Sequence, residues 1–271
     1  MEQHSAKPPK IVDAHAHIFP GAIAPKAREN ISRFYHLPMY TTGFPHTLVE
    51  QGSKIGVSRY LVCSPATSPS QVRSINDFLH QKCQQYPQFV AFATLHPQME
   101  DPFSEIDRVI DLGFKGVKFH ADLQRFNTDD PGMLPVYRRL AQVGLPVLFH
   151  AGDSRFEYSR PQRIHNVAVA VPDLTCIAAH FGGYERWDEA QLCLKLPNLY
   201  FDTCSSLAFL SKEDARRLIY YFGPERFMFG TDFPMWDHTR ELERFLALDL
   251  PEDDRDQILY KTFERVTGVQ A

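Results

Sequence analysis

The 271-residue sequence lacks the features that mark membrane-embedded and nucleic-acid-binding proteins. No stretch approaches the roughly 18 consecutive apolar residues of a membrane-spanning helix, and the polar start carries no apolar signal-peptide segment. Lys and Arg form no long run, and the net charge is -4, so nucleic acid and anionic membranes are poor partners. We therefore expect a cytoplasmic protein that acts on a small molecule. The sequence leaves open whether copies associate into a homo-oligomer.

Two kinds of motif are also missing. No GxGxxG follows the first strand-like segment, which disfavours a dinucleotide-binding fold. The cysteines show no CxxC pair and no finger-like spacing, so we interpret them as reduced core thiols. There are five of them: Cys63, Cys83, Cys176, Cys193 and Cys204.

The sequence does contain a regular alternation of apolar β-rich runs and segments with helical periodicity. Strands are predicted at residues 11–18, 60–64, 90–96, 116–120, 146–150, 176–180, 199–203 and 227–232. Helices are predicted at residues 69–86, 102–112, 133–143, 162–171, 185–196, 212–222, 240–246 and 252–266. Strands that are apolar throughout and separated by crossover helices favour parallel pairing. We expect one α/β domain over residues 1–271, a (β/α)8 TIM barrel with residues 1–10 as a flexible tail.

One segment interrupts this alternation. Residues 19–46 form a long connection after the first strand, with four prolines and a short helix predicted at residues 26–35. Long connections inside compact domains usually serve function. In a barrel this one would emerge at the catalytic face, where it could form a lid.

Asp13, His15 and His17 alternate with apolar residues along the first strand. The period of two predicts that all three side chains point into the barrel. Two histidines at this spacing are either a hydrogen-bonded core pair or two ligands that converge on one metal ion.

The same pattern recurs where other strands end. His150, His180 and Asp232 each close an apolar run and would lie at the same mouth of the barrel as His15 and His17. Burying these groups without partners is costly, whereas a divalent cation satisfies nitrogens and oxygens together. Mixed N and O ligands suit zinc, iron, manganese or cobalt, and a position left open for water makes such a site catalytic.

These residues stand in motifs that resemble the amidohydrolase superfamily. The motifs are DAHAH at residues 13–17, KGVKFH at 115–120, HAG at 150–152, HFGG at 180–183 and GTDFP at 230–234. Within the superfamily they resemble the amidohydrolase-related branch (amidohydrolase 2), which includes aminocarboxymuconate-semialdehyde decarboxylase, resorcylate decarboxylases and lactonases. The resemblance runs from about residue 11 to residue 268.

The resemblance implies a metal-dependent TIM barrel with an assigned set of ligands. It implies that His15, His17, His150 and Asp232 hold one divalent transition-metal ion, zinc first, with manganese, iron or cobalt as alternatives. His180 and Asp232 are the implied catalytic groups, with His180 orienting or deprotonating the water. Two alternatives stay open: His180 as ligand of a second ion, and a carboxylated Lys118 bridging two ions.

Candidates for substrate binding are His120, Arg155 and Tyr158. His120 also fits a capped loop position. A guanidinium such as Arg155 suits bidentate recognition of a carboxylate, although a solvated loop arginine explains it equally well.

The function we infer first is a metal-dependent hydrolase that uses metal-activated water on a small carboxylate, lactone or amide. The alternative is a non-oxidative decarboxylase of an aromatic or muconate-type acid, and a third reading is a barrel that binds a metabolite without turnover. Relatives commonly carry Gly-Asn-Ala where this chain has Lys261, Thr262 and Phe263. That departure concerns the substrate group and leaves the ligand set intact.

Overall fold

The computed structural model describes residues 10–271, so the predicted tail at residues 1–10 lies, apart from Lys10, outside the described residues. Within the described range, the strands are β1 (Ile11–His17), β2 (Val57–Cys63), β3 (Phe89–Ala91), β4 (Ala93–Thr94), β5 (Val117–Phe119), β6 (Val147–Phe149), β7 (Cys176–Ala178), β8 (Leu199–Asp202) and β9 (Phe227–Met228). They pair in parallel in the orders β1-β2-β3 and β4 through β9.

The helices follow the strands in sequence, as a barrel requires. They are α1 (Ala24–Tyr35), α2 (Pro45–Ser53), α3 (Val72–Gln85), α4 (Pro102–Asp111), α5 (Ala121–Gln124), α6 (Leu134–Gln142), α7 (Pro161–Ala170), α8 (Trp187–Cys193), α9 (Lys212–Phe222), α10 (His238–Leu246), α11 (Glu252–Asp256) and α12 (Thr262–Thr267). Short 3-10 turns lie at Pro69–Gln71, Pro131–Met133, His180–Gly182 and Pro224–Arg226, and a π-helical turn at Gln257–Lys261 joins α11 to α12. No helix within residues 10–271 is long and apolar enough to cross a membrane.

The predicted (β/α)8 barrel is confirmed, with β3 and β4 as two halves of its third strand. Phe92 separates the halves, and its backbone N–H still donates to the Val62 carbonyl at 3.0 Å. The barrel closes between its first and last strands, where Ala14 N–H donates to Phe229 O at 2.8 Å and Asp232 N–H donates to His15 O at 2.8 Å. The carboxyl ends of all the strands therefore surround one mouth.

Alternation along the strands separates an interior from an outer layer. Leu148 and Ile177 pack inside with Met228, and Phe263 of α12 joins the same cluster. The residues on either side of Leu148 and Ile177 belong instead to the larger cluster between strands and helices.

The expectation that Asp13 points into the barrel is wrong. The β1–β2 register shifts between Asp13 and Ala16, so an extra residue reverses the alternation within β1. Asp13 therefore points outward and accepts a hydrogen bond from His238 Nε2 of α10 at 3.0 Å. His15, beyond the bulge, points inward.

The long connection after β1 contains more helix than the sequence indicates. The predicted helix at residues 26–35 is α1 and begins two residues earlier, whereas α2 was not predicted. Its start was signalled by Pro45, which occupies the first helical position and is tolerated there because that N–H needs no intrahelical partner.

Gly152, three residues after the end of β6 and two after the predicted ligand His150, provides a test of how the site is supported. Its φ is 96°, and a Cβ atom there would lie 2.3 Å from both the N and the O of Tyr184. Left-handed strain and a backbone clash together predict that Gly152→Ala lowers the free energy of unfolding by about 2–4 kcal/mol.

The matched control is Gly144→Ala, because Gly144 has φ 69° and open space around its Cα. Gly144→Ala therefore measures only the free-energy cost of the left-handed backbone conformation, about 1–2 kcal/mol. Urea unfolding followed by circular dichroism measures both, and equal losses in the two variants would contradict the clash at Tyr184.

Candidate metal centre

The predicted ligands and the predicted catalytic residue His180 lie at the mouth of the barrel because each closes or follows a strand. His15 and His17 end β1, His150 follows β6, His180 lies two residues beyond β7, and Asp232 follows β9. His180 and Asp232 adopt left-handed backbone conformations, with φ of 61° and 54°. Such conformations cost about 1–3 kcal/mol each in non-glycine residues and cluster at functional sites, where they aim a side chain.

Three donor atoms converge at this mouth. His15 Nε2 lies 3.2 Å from His17 Nε2, and Asp232 Oδ1 lies 3.7 Å from the first and 3.3 Å from the second. Ligands bound tetrahedrally at about 2.1 Å stand about 3.4 Å apart. The separations therefore fit three ligands of one transition-metal ion.

His150 and His180 form a second pair in the same mouth. Nδ1 of His150 lies 3.0 Å from Nε2 of His180. The other ring nitrogen of His150, Nε2, is buried with no hydrogen-bond partner among residues 10–271, and its nearest acidic neighbour is Asp122 Oδ2 at 3.5 Å. This nitrogen therefore faces Asp122, whereas Nδ1 is the His150 nitrogen that faces His180. The assignment of His150 as the fourth ligand stays a prediction.

Electrostatics favour the neutral, metal-binding form of most of these imidazoles. Burial and the nearby Lys118 lower the pKa of His15 to about 4, despite Asp202. Burial also lowers the pKa of His150 and His180, which leaves their lone pairs free at neutral pH.

His17 behaves differently. Burial lowers its pKa, but Cys63 and Asp232 raise it more, to about 10. Without a cation at the site His17 therefore carries a proton at neutral pH, and metal binding must displace that proton.

Asp202 at the end of β8 contacts two residues of the candidate site, and sequence reasoning missed it. Its Oδ2 lies 2.7 Å from His15 Nδ1, and its Oδ1 accepts the backbone N–H of His180 at 2.8 Å. Burial alone would raise the pKa of Asp202, but the contact with His15 holds it below its usual value. Its position beside Thr203 at a strand end was the available signal.

Cys204 is more than a core thiol. Its sulfur lies 3.2 Å from Nδ1 of both His15 and His180, and the thiol donates to Asp202 Oδ1 at 3.0 Å. Cys63 lies 3.6 Å from His17 Nδ1. The two cysteines thus contact the Nδ1 atoms of the site histidines. Their spacing in the sequence did not indicate these contacts.

The Asp232 carboxylate is held on its other oxygen. Ser205 Oγ donates to Oδ2 at 2.6 Å, and Trp236 Nε1 donates to the same hydroxyl at 2.9 Å.

Lys118 points into the barrel, with Nζ 3.3 Å from His15 Nε2. The amine of Lys118 therefore lies next to a predicted metal ligand.

His120 caps a helix and also lines the large cavity, while its contact with substrate stays a prediction. Nδ1 accepts the backbone N–H of Leu123 at 3.4 Å and caps α5, while Nε2 lies 2.8 Å from the Tyr35 hydroxyl. Its ring stacks on His150 with centroids 3.9 Å apart. Tyr35, which ends α1, therefore reaches the site, a contact that sequence reasoning missed.

Arg155 and Tyr158 are not among the residues that line the two cavities beside the donors, so their part in substrate binding stays a prediction. Asp153 holds the Arg155 guanidinium through Nε at 2.9 Å and Nη2 at 2.6 Å, and Nη1 donates to the Phe34 carbonyl. Arg155 thus ties the end of α1 to the loop after β6. Tyr158 packs half-buried against the outer core, and its carbonyl accepts from Thr128.

A cavity of about 610 Å³ opens above the donors. His15, His17, Lys118, His120, His150, His180 and Asp232 lie along it. Residues of α1 and α3 also line it. A smaller cavity of about 20 Å³ lies beside His150, His180 and Asp232, and Tyr35 lines both cavities.

The comparison with protein families gives one match over nearly the whole chain. The family model described as Amidohydrolase matches residues 12–268. A curated 2-amino-3-carboxymuconate-6-semialdehyde decarboxylase from Dictyostelium discoideum is 26% identical over 126 residues, which cover 44% of this chain and 35% of that protein. The match thus spans about a third of the relative's length.

Solved structures share the fold. A TIM-barrel protein from Bordetella bronchiseptica, described as uncharacterized, has a TM-score of 0.79 at 20% identity, covering 96% of this chain and 98% of that one. A dihydroxybenzoic acid decarboxylase from a Polaromonas species, with bound manganese and the inhibitor 2-nitroresorcinol, has a TM-score of 0.77 at 15% identity, covering 96% and 97%. At such identities the likeness establishes the barrel alone.

The contact between Asp202 and His15 leads to a prediction for metal affinity. Asp202→Asn removes the charge that orients the His15 ring, and loss of such a partner weakens metal binding about 10- to 100-fold. Competition with a chelator, read by elemental analysis, measures the affinity. His150→Ala, which removes a predicted ligand, should deplete the metal further.

The control is Asp107→Asn, because Asp107 is exposed and pairs with Arg139 away from the site. Unchanged affinity in Asp202→Asn would show that Asp202 does not tune the ligand. A stoichiometry near two ions in the unmodified protein would instead favour Lys118 or His180 as an added ligand.

Proposed function

Because this chain belongs to the amidohydrolase family, we propose that it is a metal-dependent non-oxidative decarboxylase of an aromatic or muconate-type carboxylic acid. The observation that carries the proposal is the convergence of His15 Nε2, His17 Nε2 and Asp232 Oδ1 within 3.2–3.7 Å at the floor of a large cavity. Sequence reasoning ranked hydrolysis first. The curated relative and the Polaromonas structure are both named decarboxylases, which favours the alternative.

The donor set fits a divalent transition-metal ion, with His15, His17, His150 and Asp232 as the proposed ligands. Such an ion would hold a substrate oxygen and stabilise the negative charge that develops as a bond to the carboxylate breaks. Manganese stands beside zinc as the first metal to test, because the Polaromonas structure contains manganese.

His180 is the proposed catalytic residue of this chain. Loss of CO2 leaves an electron pair on the carbon that carried the carboxylate, and a proton must take the place of the lost group. The His180 ring lies beside the cavity, and its backbone is fixed by Asp202. Because burial lowers its pKa, the ring is proposed to take a proton from water and pass it to that carbon.

One observation favours hydrolysis as a second candidate. The small cavity of about 20 Å³ beside His180 and Asp232 has the volume that a single water needs, about 10–15 Å³ or more. A hydrolase needs one water at this place. Both functions would use the same donors at the floor of the cavity. They differ in the bond that is broken, which is the bond to the carboxylate in decarboxylation and the acyl bond of a lactone or amide in hydrolysis.

Products separate the two functions. The purified chain, loaded with manganese or zinc, is incubated with dihydroxybenzoates, muconate-type acids, lactones and amides. We expect CO2 release in step with loss of a carboxylic acid, and none after the metal is stripped. Solvent ¹⁸O in a carboxylate product without CO2 would overturn decarboxylation and establish hydrolysis.

His180→Asn tests the proton-transfer role. A positioned general acid or base contributes about 10²- to 10⁴-fold, so we expect kcat to fall at least about 10²-fold while the metal is retained. His46→Asn is the control, because His46 is exposed and lies outside both cavities.

Metal content decides how a loss of activity is interpreted. Unchanged kcat with metal retained would show that His180 only supports the structure. Loss of metal would make it a ligand.

A further inference from the structure

Two of the walls of the large cavity are helical faces. On the α1 side they are Ile23, Ala27, Ile31 and Phe34, spaced by four, four and three residues, which is one face of a helix. In most helices such a face is buried in the core. Of the residues in α1, Ala24 alone is buried, so this apolar face borders the cavity instead.

The opposite wall comes from α3 and the turn before it. Gln71, Ser74, Ile75 and Phe78 follow the same helical spacing along the cavity. Ile75 and Phe78 are half-buried, whereas the core-facing side of α3 consists of Val72, Asn76 and Leu79. The cavity thus has apolar surface on two sides, well away from the donors at its floor.

Charge along the cavity differs from floor to mouth. Among the described residues that line it, Asp232 is the one carboxylate, while Lys118 lies at the floor and Lys26 on α1. A substrate anion is therefore favoured at the floor. Above it Lys26 is the one charged side chain among the described residues of the two walls, beside polar groups such as Asn30, Gln71 and Ser74 and a larger number of apolar side chains.

Size adds a constraint. A cavity of about 610 Å³ falls in the middle of the range that holds drug-sized ligands, about 300–1,000 Å³. A bare hydroxybenzoate is much smaller than such ligands and would leave the α1 and α3 walls in contact with water. Burial of apolar surface favours a ligand that covers them.

We propose that the substrate is an acid with an apolar extension, an alkyl or aryl group para to its carboxylate, that lies between α1 and α3 while the carboxylate lies at the floor. This rests on the proposed function, because it takes the donors as the place where the acid head binds. Ile31 on α1 and Ile75 on α3 then determine specificity for the extension.

The test compares pairs of compounds that differ by one hexyl chain. Rates of CO2 release are measured for 2,6-dihydroxybenzoate and its 4-hexyl derivative with the metal-loaded full chain. In parallel, calorimetry measures the affinity of 2-nitroresorcinol and its 5-hexyl derivative, which need no turnover. Each buried methylene strengthens binding about fourfold, so a gain of at least tenfold is expected in both kcat/KM and affinity.

Variants locate the gain. Ile31→Gln and, on the other wall, Ile75→Gln should each reduce the hexyl-to-parent ratio to less than threefold. The matched control is Ile110→Gln, because Ile110 is 38% exposed on α4 and lies outside the cavity. Circular dichroism confirms that each variant is folded, and two variants on separate walls guard against a local defect in one.

The outcomes distinguish this proposal from the proposed function. CO2 release from the parent acid with no hexyl gain would overturn the apolar subsite and leave decarboxylation standing. A tenfold gain in inhibitor affinity without any CO2 release would support the subsite and overturn decarboxylation of dihydroxybenzoates. No hexyl gain in either assay, or a gain that persists in both wall variants, would overturn the subsite.

Discussion

The arrangement of the candidate centre depends on the Asp202 carboxylate. A buried carboxylate needs partners for both oxygens, and here they are the ring of His15 and the backbone of His180. Because Nδ1 of His15 faces Asp202, its Nε2 faces His17 and Asp232. The hydrogen bonds of Asp202 offset the free-energy cost of burying its charge. The same hydrogen bonds orient the His15 ring and fix the loop that carries His180.

The donors lie between two apolar regions of the barrel. Below them Leu148, Ile177 and Met228 fill the interior with Phe263 of α12. Above them are the half-buried side chains of α1 and α3. Electrostatic interactions strengthen where water is excluded, so this layering increases the effect of each charge at the floor and keeps most of the imidazoles neutral.

The barrel and the mouth residues could be predicted from the sequence because both follow from strand periodicity. Apolar runs with strand periodicity recur along the chain, and several end in His or Asp. If the strands pair in parallel, these residues must lie at the same mouth of the barrel. Asp13 could not be placed, because a single extra residue in β1 reverses its side and no residue type marks that bulge. Tyr35 and Arg155 depend on how α1 folds back over the mouth, which is a tertiary contact without a local pattern.

Water access is what separates the two chemistries at this floor. Hydrolysis consumes water, whereas decarboxylation needs only a proton, and both can draw on the small cavity beside His180. Tyr35 lies along both cavities with its hydroxyl 2.8 Å from His120, so it borders the space for substrate and the space for one water. Burial holds the pKa of Tyr35 well above its usual value, which keeps the phenol protonated. If an apolar substrate covers the walls of α1 and α3 as proposed, the small cavity of about 20 Å³ still has room for about one water molecule near the donors. Under that proposal a carboxylate desolvated at the floor would be raised in energy relative to the transition state in which its charge disperses, which would favour loss of CO2 over attack by water.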